Sequence, residues 1–379
     1  MRVLRRFVYA TVLLLVTGFL LIHYHVIHLR SLPDRRASQA SEWHTTTDWE
    51  LKPSLKYDTL CLLNALSGDP FYLNYYKGEY DHFNPLFTTQ ERKSFQKLKW
   101  IIKDGDGSII SADLTGYFST TPDETLEQMI QTTKTMSFWN SPIDREARPY
   151  LETALKALQR VGFTDYWEKN ARSRIEKRIG EIGPEMPKYN IVPAIEEKLG
   201  HPLSSNRITV FLLAYSEPHG IKLAGTRFIT HFSYPLPIVL HNAVHELMHP
   251  PYDKSDREVA SAVKQLGGDA LVRDMVENHN RSFGYNSVSG YVEEDSVQAL
   301  EEIVSEQFGL GRNPQEYWKN QDGGMHILAV AIYVRYKQAL QDGKTAIPYQ
   351  HWFVKAVRNG ELQGHDLSET TKTFLAVRQ

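Results

Sequence analysis

The 379-residue chain has a single cysteine, Cys61, which excludes an intrachain disulfide framework and any thiolate-rich metal cluster. A metal bound here must take its ligands from histidine and carboxylate. Charge of one sign is lacking too: 43 lysines and arginines stand against 45 aspartates and glutamates, a formal net charge of −2. Nucleic-acid binding favours a concentrated basic face, so no nucleic-acid partner is expected. There is no internal repeat and no low-complexity tract. Long apolar runs are confined to one place, Phe7–Ile22, sixteen positions without a charge behind Arg2, Arg5 and Arg6. Extended through Ile27, this run reaches the roughly 20 residues that span a bilayer as helix. No A-x-A-like cleavage site follows directly and no cysteine closes the run. Residues 1–30 therefore read as an uncleaved signal anchor, with a removed signal peptide as the alternative. Arg30, Arg35 and Arg36 blunt the charge asymmetry, and the expected orientation has the amino terminus inside and the body outside the cytoplasm, periplasmic or extracellular.

What remains has the composition of an ordinary globular protein, 41% hydrophobic and 23% charged. Residues 31–52 are polar without sustained periodicity and read as a linker. A mainly helical region is expected over 53–200, beginning with an aromatic-rich stretch that includes Phe71, Tyr72, Tyr75 and Tyr76. Asp104-Gly105-Asp106-Gly107 is a turn signal and predicts a hairpin within 95–118. It is not an EF-hand loop, because Ile109 stands where that loop needs glycine. Helices are expected over 123–136, 148–161, 164–179 and 189–199, from spacings such as Leu151, Leu155, Leu158 and the glycines at helix ends. The pattern then changes. Ile208–Leu213 and Thr226–Phe232 read as strands. An apolar helix, 238–249, follows Pro235 and Pro237, and further helices are expected over 254–278, 291–308 and 325–341. The fold class is α+β, with a second region over 201–379.

The chemistry concentrates in His245-Glu246-Leu247-Met248-His249. Histidines four apart on a helix share one face, about 6 Å apart along the axis, and can point one ring nitrogen each at a single ion. Zinc hydrolysis needs such neutral imidazoles on one side of the ion and an open position on the other. Glu246 lies about 100° around the helix from His245. From there its carboxylate can take a proton from the attacking water and deliver it to a leaving amine. His241 lies on the same face, but eight helical residues separate it from His249 by about 12 Å, too far for a shared ion.

These residues resemble the zincin metallopeptidases. The metzincin extension is absent, since Tyr252 and Ser255 occupy the positions where it has glycine and histidine. The gluzincin branch fits better, over roughly residues 207–308. The resemblance implies a zincin-like core, with a small mixed sheet in front of the metal helix and a helical carboxy-terminal half. It also implies zinc as cofactor, a peptide or protein as substrate, and a third ligand from a glutamate on a later helix. Within 291–308, Val297, Leu300, Val304 and Phe308 define a buried stripe from which Glu302 and Glu306 point away towards solvent. Glu293, Glu294 and Glu301 fall near its edges. The gluzincin pattern favours Glu294, with Glu293 next and Glu258 an outside choice.

Asp253 and Asp295 are candidates to orient the imidazoles, and Tyr285, Tyr291 and His326 to stabilise an oxyanion. Pro250-Pro251 must end the helix directly after His249, a departure from members in which it runs on. The leading expectation is peptide hydrolysis with Glu246 as general base. The alternatives are a zinc-binding or sensing module without turnover, and hydrolysis of a non-peptide amide. Oligomeric state is not readable.

Overall fold

Strand residues buried on both faces form near-continuous apolar runs, and two such runs make the centre of the sheet in the computed structural model. The strands are β1 (Asp48–Lys52), β2 (Arg207–Leu213), β3 (Ile221–Lys222) and β4 (Arg227–His231). Their order is β1-β2-β4-β3. β1 and β4 flank β2 in parallel, with Asp48 opposite Arg207 and Thr209 opposite Arg227. β3 closes one side antiparallel to β4, Ile221 facing Ile229. The structure describes residues 42–379 except 105–108, 123, 136–141, 281–282, 284, 343–347 and 377–379. The anchor expected over 1–30 lies outside the described residues, among which no helix is long and apolar enough to cross a membrane.

The fold is α+β and largely helical. Before β2 come α1 (Leu55–Leu66), α2 (Pro70–Phe83), α3 (Thr89–Leu98), α4 (Ile110–Phe118), α5 (Leu126–Thr135), α6 (Pro142–Arg160), α7 (Phe163–Trp167), α8 (Ser173–Ile182) and α9 (Ile191–Leu199). After β4 come α10 (Leu236–Met248), α11 (Arg257–Leu266), α12 (Ala270–Asn278), α13 (Val288–Gln307), α14 (Pro314–Asn320), α15 (Ile327–Gln341), α16 (Tyr349–Arg358) and α17 (Gly364–Ala376).

Several expectations are corrected. The linker read over 31–52 does not extend to 52, since β1 pairs there with β2. In Asp48-Trp49-Glu50-Leu51-Lys52, apolar and charged residues alternate, and Trp49 and Leu51 pack on the core. The connection before β1 is also fastened to the body. The backbone N–H of His44 donates to Glu196 over 2.9 Å, and Val192 donates its N–H to the Thr47 hydroxyl. The hairpin expected within 95–118 is helical instead: α3 runs into a π-helical turn, Lys99–Asp104, and α4 follows. Phe95, Leu98 and Ile102 are buried at spacings of three and four, and Ile110, Leu114 and Phe118 at spacings of four. That helical period rules out the two strands, while residues 105–108 of the turn signal lie outside the described residues. The single helix expected over 254–278 is split into α11 and α12. Gly267 and Gly268 interrupt it, and the Asp269 side chain accepts from the N–H groups of Leu271 and Val272 to start α12.

α13 is the axis of the second half. It packs against α10 on one side and α15 on another, and nearly every side chain from Tyr291 to Ser305 is buried. The idea of one buried stripe is therefore too narrow. Glu302 is fully buried, because residues 309–313 fold back and Arg312 meets it with both its backbone N–H and its Nε, each at 3.0 Å. Glu306 is half-buried and receives Lys337 Nζ at 2.6 Å.

Candidate metal centre

α10 begins at a proline pair that suits the first turn of a helix, where missing N–H groups cost nothing. It ends at Met248, ahead of Pro250-Pro251. His249 caps it in an extended conformation, φ −80° and ψ 127°. His245 is therefore held by the helix, and His249 stands just off its end. Even so, their Nε2 atoms are 3.3 Å apart. Glu294, in the second turn of α13, places Oε1 3.7 Å from His245 Nε2 and Oε2 3.7 Å from His249 Nε2. One ligand atom from each of His245, His249 and Glu294 lies within 4.8 Å of the others.

The far sides of both rings are engaged. His245 Nδ1 donates to Glu301 Oε2 over 3.0 Å, and His249 Nδ1 donates to Glu293 Oε1 over 3.3 Å. Carboxylates only accept, so both Nδ1 atoms carry a proton and the Nε2 atoms face inward on a shared point. Two ring nitrogens and a carboxylate facing one another are a donor set that could hold a cation. The spacing suits one: two nitrogens bound tetrahedrally to zinc at about 2.05 Å are about 3.3 Å apart. The potential points the same way. Burial works against a positive charge on His245, yet the carboxylates of Glu294, Glu301 and Glu246 outweigh it and lift its pKa to about 10.

Glu301 is the hub of this wiring. Its other oxygen is shared between His241 Nδ1 at 2.8 Å and Arg312 at 2.7 Å. Despite its burial, Arg312 and the two histidines hold its pKa far below the usual carboxylate range. His241 is thus buried one turn before His245, and its Nε2 donates to the Leu310 carbonyl. It is buried and reaches His245 only through Glu301. Glu294 is steadied by Gln298, whose amide donates to Oε1 over 3.1 Å. Gln298 in turn accepts from Trp318 Nε1.

Several candidates fall elsewhere. Asp253 closes a turn onto Ser255 and Asp295 binds His326 Nδ1 at 2.6 Å, so neither touches a site imidazole. Glu293 and Glu301 fill that role. The position of Glu301 two turns beyond Glu294, on one helix face, is the signal that could have found it. Glu258 pairs with Arg358 at the surface. Tyr291 donates its hydroxyl to the Met325 carbonyl within the core, and His326 is enclosed between Asp295 and Asp322. Tyr285 alone of the three stands at the site, beside Glu294, where burial and that carboxylate push its phenol well above its ordinary pKa. It has a positive φ of 57°.

Glu246 is 8% exposed and faces the loop leading into β3: a Cβ on Gly220 would lie 3.1 Å from its Oε1. The residue before that glycine, His219, accepts or donates a 2.9 Å bond with the Tyr72 hydroxyl on α2. Around it, Tyr72 and Tyr76 are buried, while Phe71 and Tyr75 stay 44% and 40% exposed. The aromatic-rich stretch therefore packs α2 against the loop that borders the site. β3 ends the sheet order, so its outer edge is unpaired among the described residues. No known protein family, curated protein or solved structure matches this chain.

Proposed function

We propose that the chain is a zinc-dependent hydrolase, a metallopeptidase with a gluzincin-like arrangement of His245, His249 and Glu294 in a zincin-like core. The observation that carries this reading is the convergence of the two Nε2 atoms and the Glu294 carboxylate, each imidazole oriented by its own carboxylate. When bound, zinc would polarise a scissile carbonyl and acidify water. Glu246, one residue after the first ligand, takes the proton of the attacking water and passes it to the leaving nitrogen. The open edge of β3 offers N–H and C=O groups to an extended peptide, which favours a peptide over another amide. Tyr285, beside Glu294, donates to the oxygen that gains charge.

The test uses the full chain in detergent. Wild type is expected to carry about one zinc per chain and to cleave members of a mixed peptide library. Glu246→Gln should keep the zinc and lose turnover by about 10²–10⁴-fold, whereas His249→Ala should lose the zinc. A wild-type protein that holds zinc yet cleaves no peptide would sink the peptidase reading. Tyr285→Phe should lower kcat by roughly 10–10³-fold with zinc content unchanged. An unaltered kcat would remove Tyr285 from the oxyanion role.

A further inference from the structure

A ligand inside a helix inherits the stiffness of its backbone hydrogen bonds, but His249 does not. Pro250-Pro251 end α10 one residue earlier, and His249 is already extended. Its carbonyl is taken up from another element altogether: Lys222 Nζ donates to it. Lys222 lies on β3, where its backbone is fixed opposite Phe228 of β4, and the Leu223 N–H continues the ladder onto Arg227. The other end of His249 is fixed by Glu293, whose second oxygen pairs with Lys254 Nζ just beyond the proline pair. The ring, its backbone and its carboxylate partner are thus tied to three separate elements.

We propose that Lys222, together with the Glu293–Lys254 pair, forms a brace that holds His249 in ligand position, doing from the sheet edge what a continuous helix does elsewhere. This rests on the metal-site reading above. Lys222 and Lys254 touch neither the ion-sized space nor a reacting atom; they are positioning residues. The ammonium of Lys222 lies near Glu246, Glu293 and Lys254, and its hydrogen bond goes to the ligand's own backbone.

The experiment measures zinc affinity of the full chain by competition with a chromophoric chelator, beside the thermal unfolding of the zinc-free proteins. Lys222→Met should weaken zinc binding by about 10–100-fold, the range for partners that orient ligands, with the zinc-free Tm close to wild type. Lys222→Arg, which keeps a cationic donor, should restore most of the affinity. Lys254→Met, at an exposed position, should cause a smaller loss in the same direction. Wild-type affinity in Lys222→Met would overturn the proposal. Should that variant not fold, wild-type affinity in Lys254→Met would overturn it instead. If wild type binds no zinc and His249→Ala changes nothing, the metal reading itself fails, an outcome distinct from loss of the brace alone.

Discussion

Asp58 shows how much one buried carboxylate can hold together. It is fully buried and accepts from Trp167 Nε1 at 2.6 Å and from the backbone N–H groups of Ala214 and Tyr215 at 2.7 and 2.9 Å. It joins α1, α7 and the end of β2. Asp58→Ala would strand three buried donors and should lower stability by roughly 2–4 kcal/mol, readable as a lower urea midpoint. His219 offers a pH test. Burial is the main cause of its depressed pKa, with Lys103 adding to it, to about 4 against a usual 6.5. Its neutral form is favoured by folding, so its contribution is complete above pH 6.5 and is lost as pH falls towards 4. Wild type should therefore lose more stability between pH 7 and pH 4.5 than His219→Gln does, by about 1–3 kcal/mol. Equal losses in urea titrations would refute it. At this scale the sequence showed the site only in part. His245, Glu246 and His249 are legible because their spacing is local. Lys222 and Arg312 are not: Lys222 reaches His249 only when β3 docks beside the end of α10, and Arg312 reaches Glu301 and Glu302 only when the loop after α13 folds back.

Among the elements, α10 and the two central strands were readable because their apolar runs are long and bounded by proline or glycine. β1 was missed because five residues of alternating pattern are a weak signal inside a polar stretch. The hairpin was misread because a turn motif was weighed above the helical period on either side. Glu302 looked solvated because projection on one helix cannot foresee the loop that returns over it. A further test concerns the end of α9. Gly200 sits at φ 77°, and a Cβ there would lie 2.2 Å from that of Pro348. Gly200→Ala combines left-handed strain with overlap, and should cost roughly 2–4 kcal/mol. A thermal midpoint within a degree of wild type would contradict the packing of α9 against the start of α16.

At the level of the whole molecule, the arrangement separates the two ends of the sheet. β3, with the glycine loop and Lys222, borders the candidate metal centre; β1 lies at the other edge, three strands away. The chain before β1 is not free of the body, because Glu196 accepts from the backbone of His44 and Thr47 accepts from Val192. A pull applied through the residues ahead of 42 would therefore load the five paired positions of β1 and β2 in shear. That geometry shares force among several hydrogen bonds at once, where a peeling load would break them singly. The strain would be spent at the sheet edge farthest from His245 and His249. In mechanical terms the site is insulated from a load entering at the amino-terminal edge of the described residues.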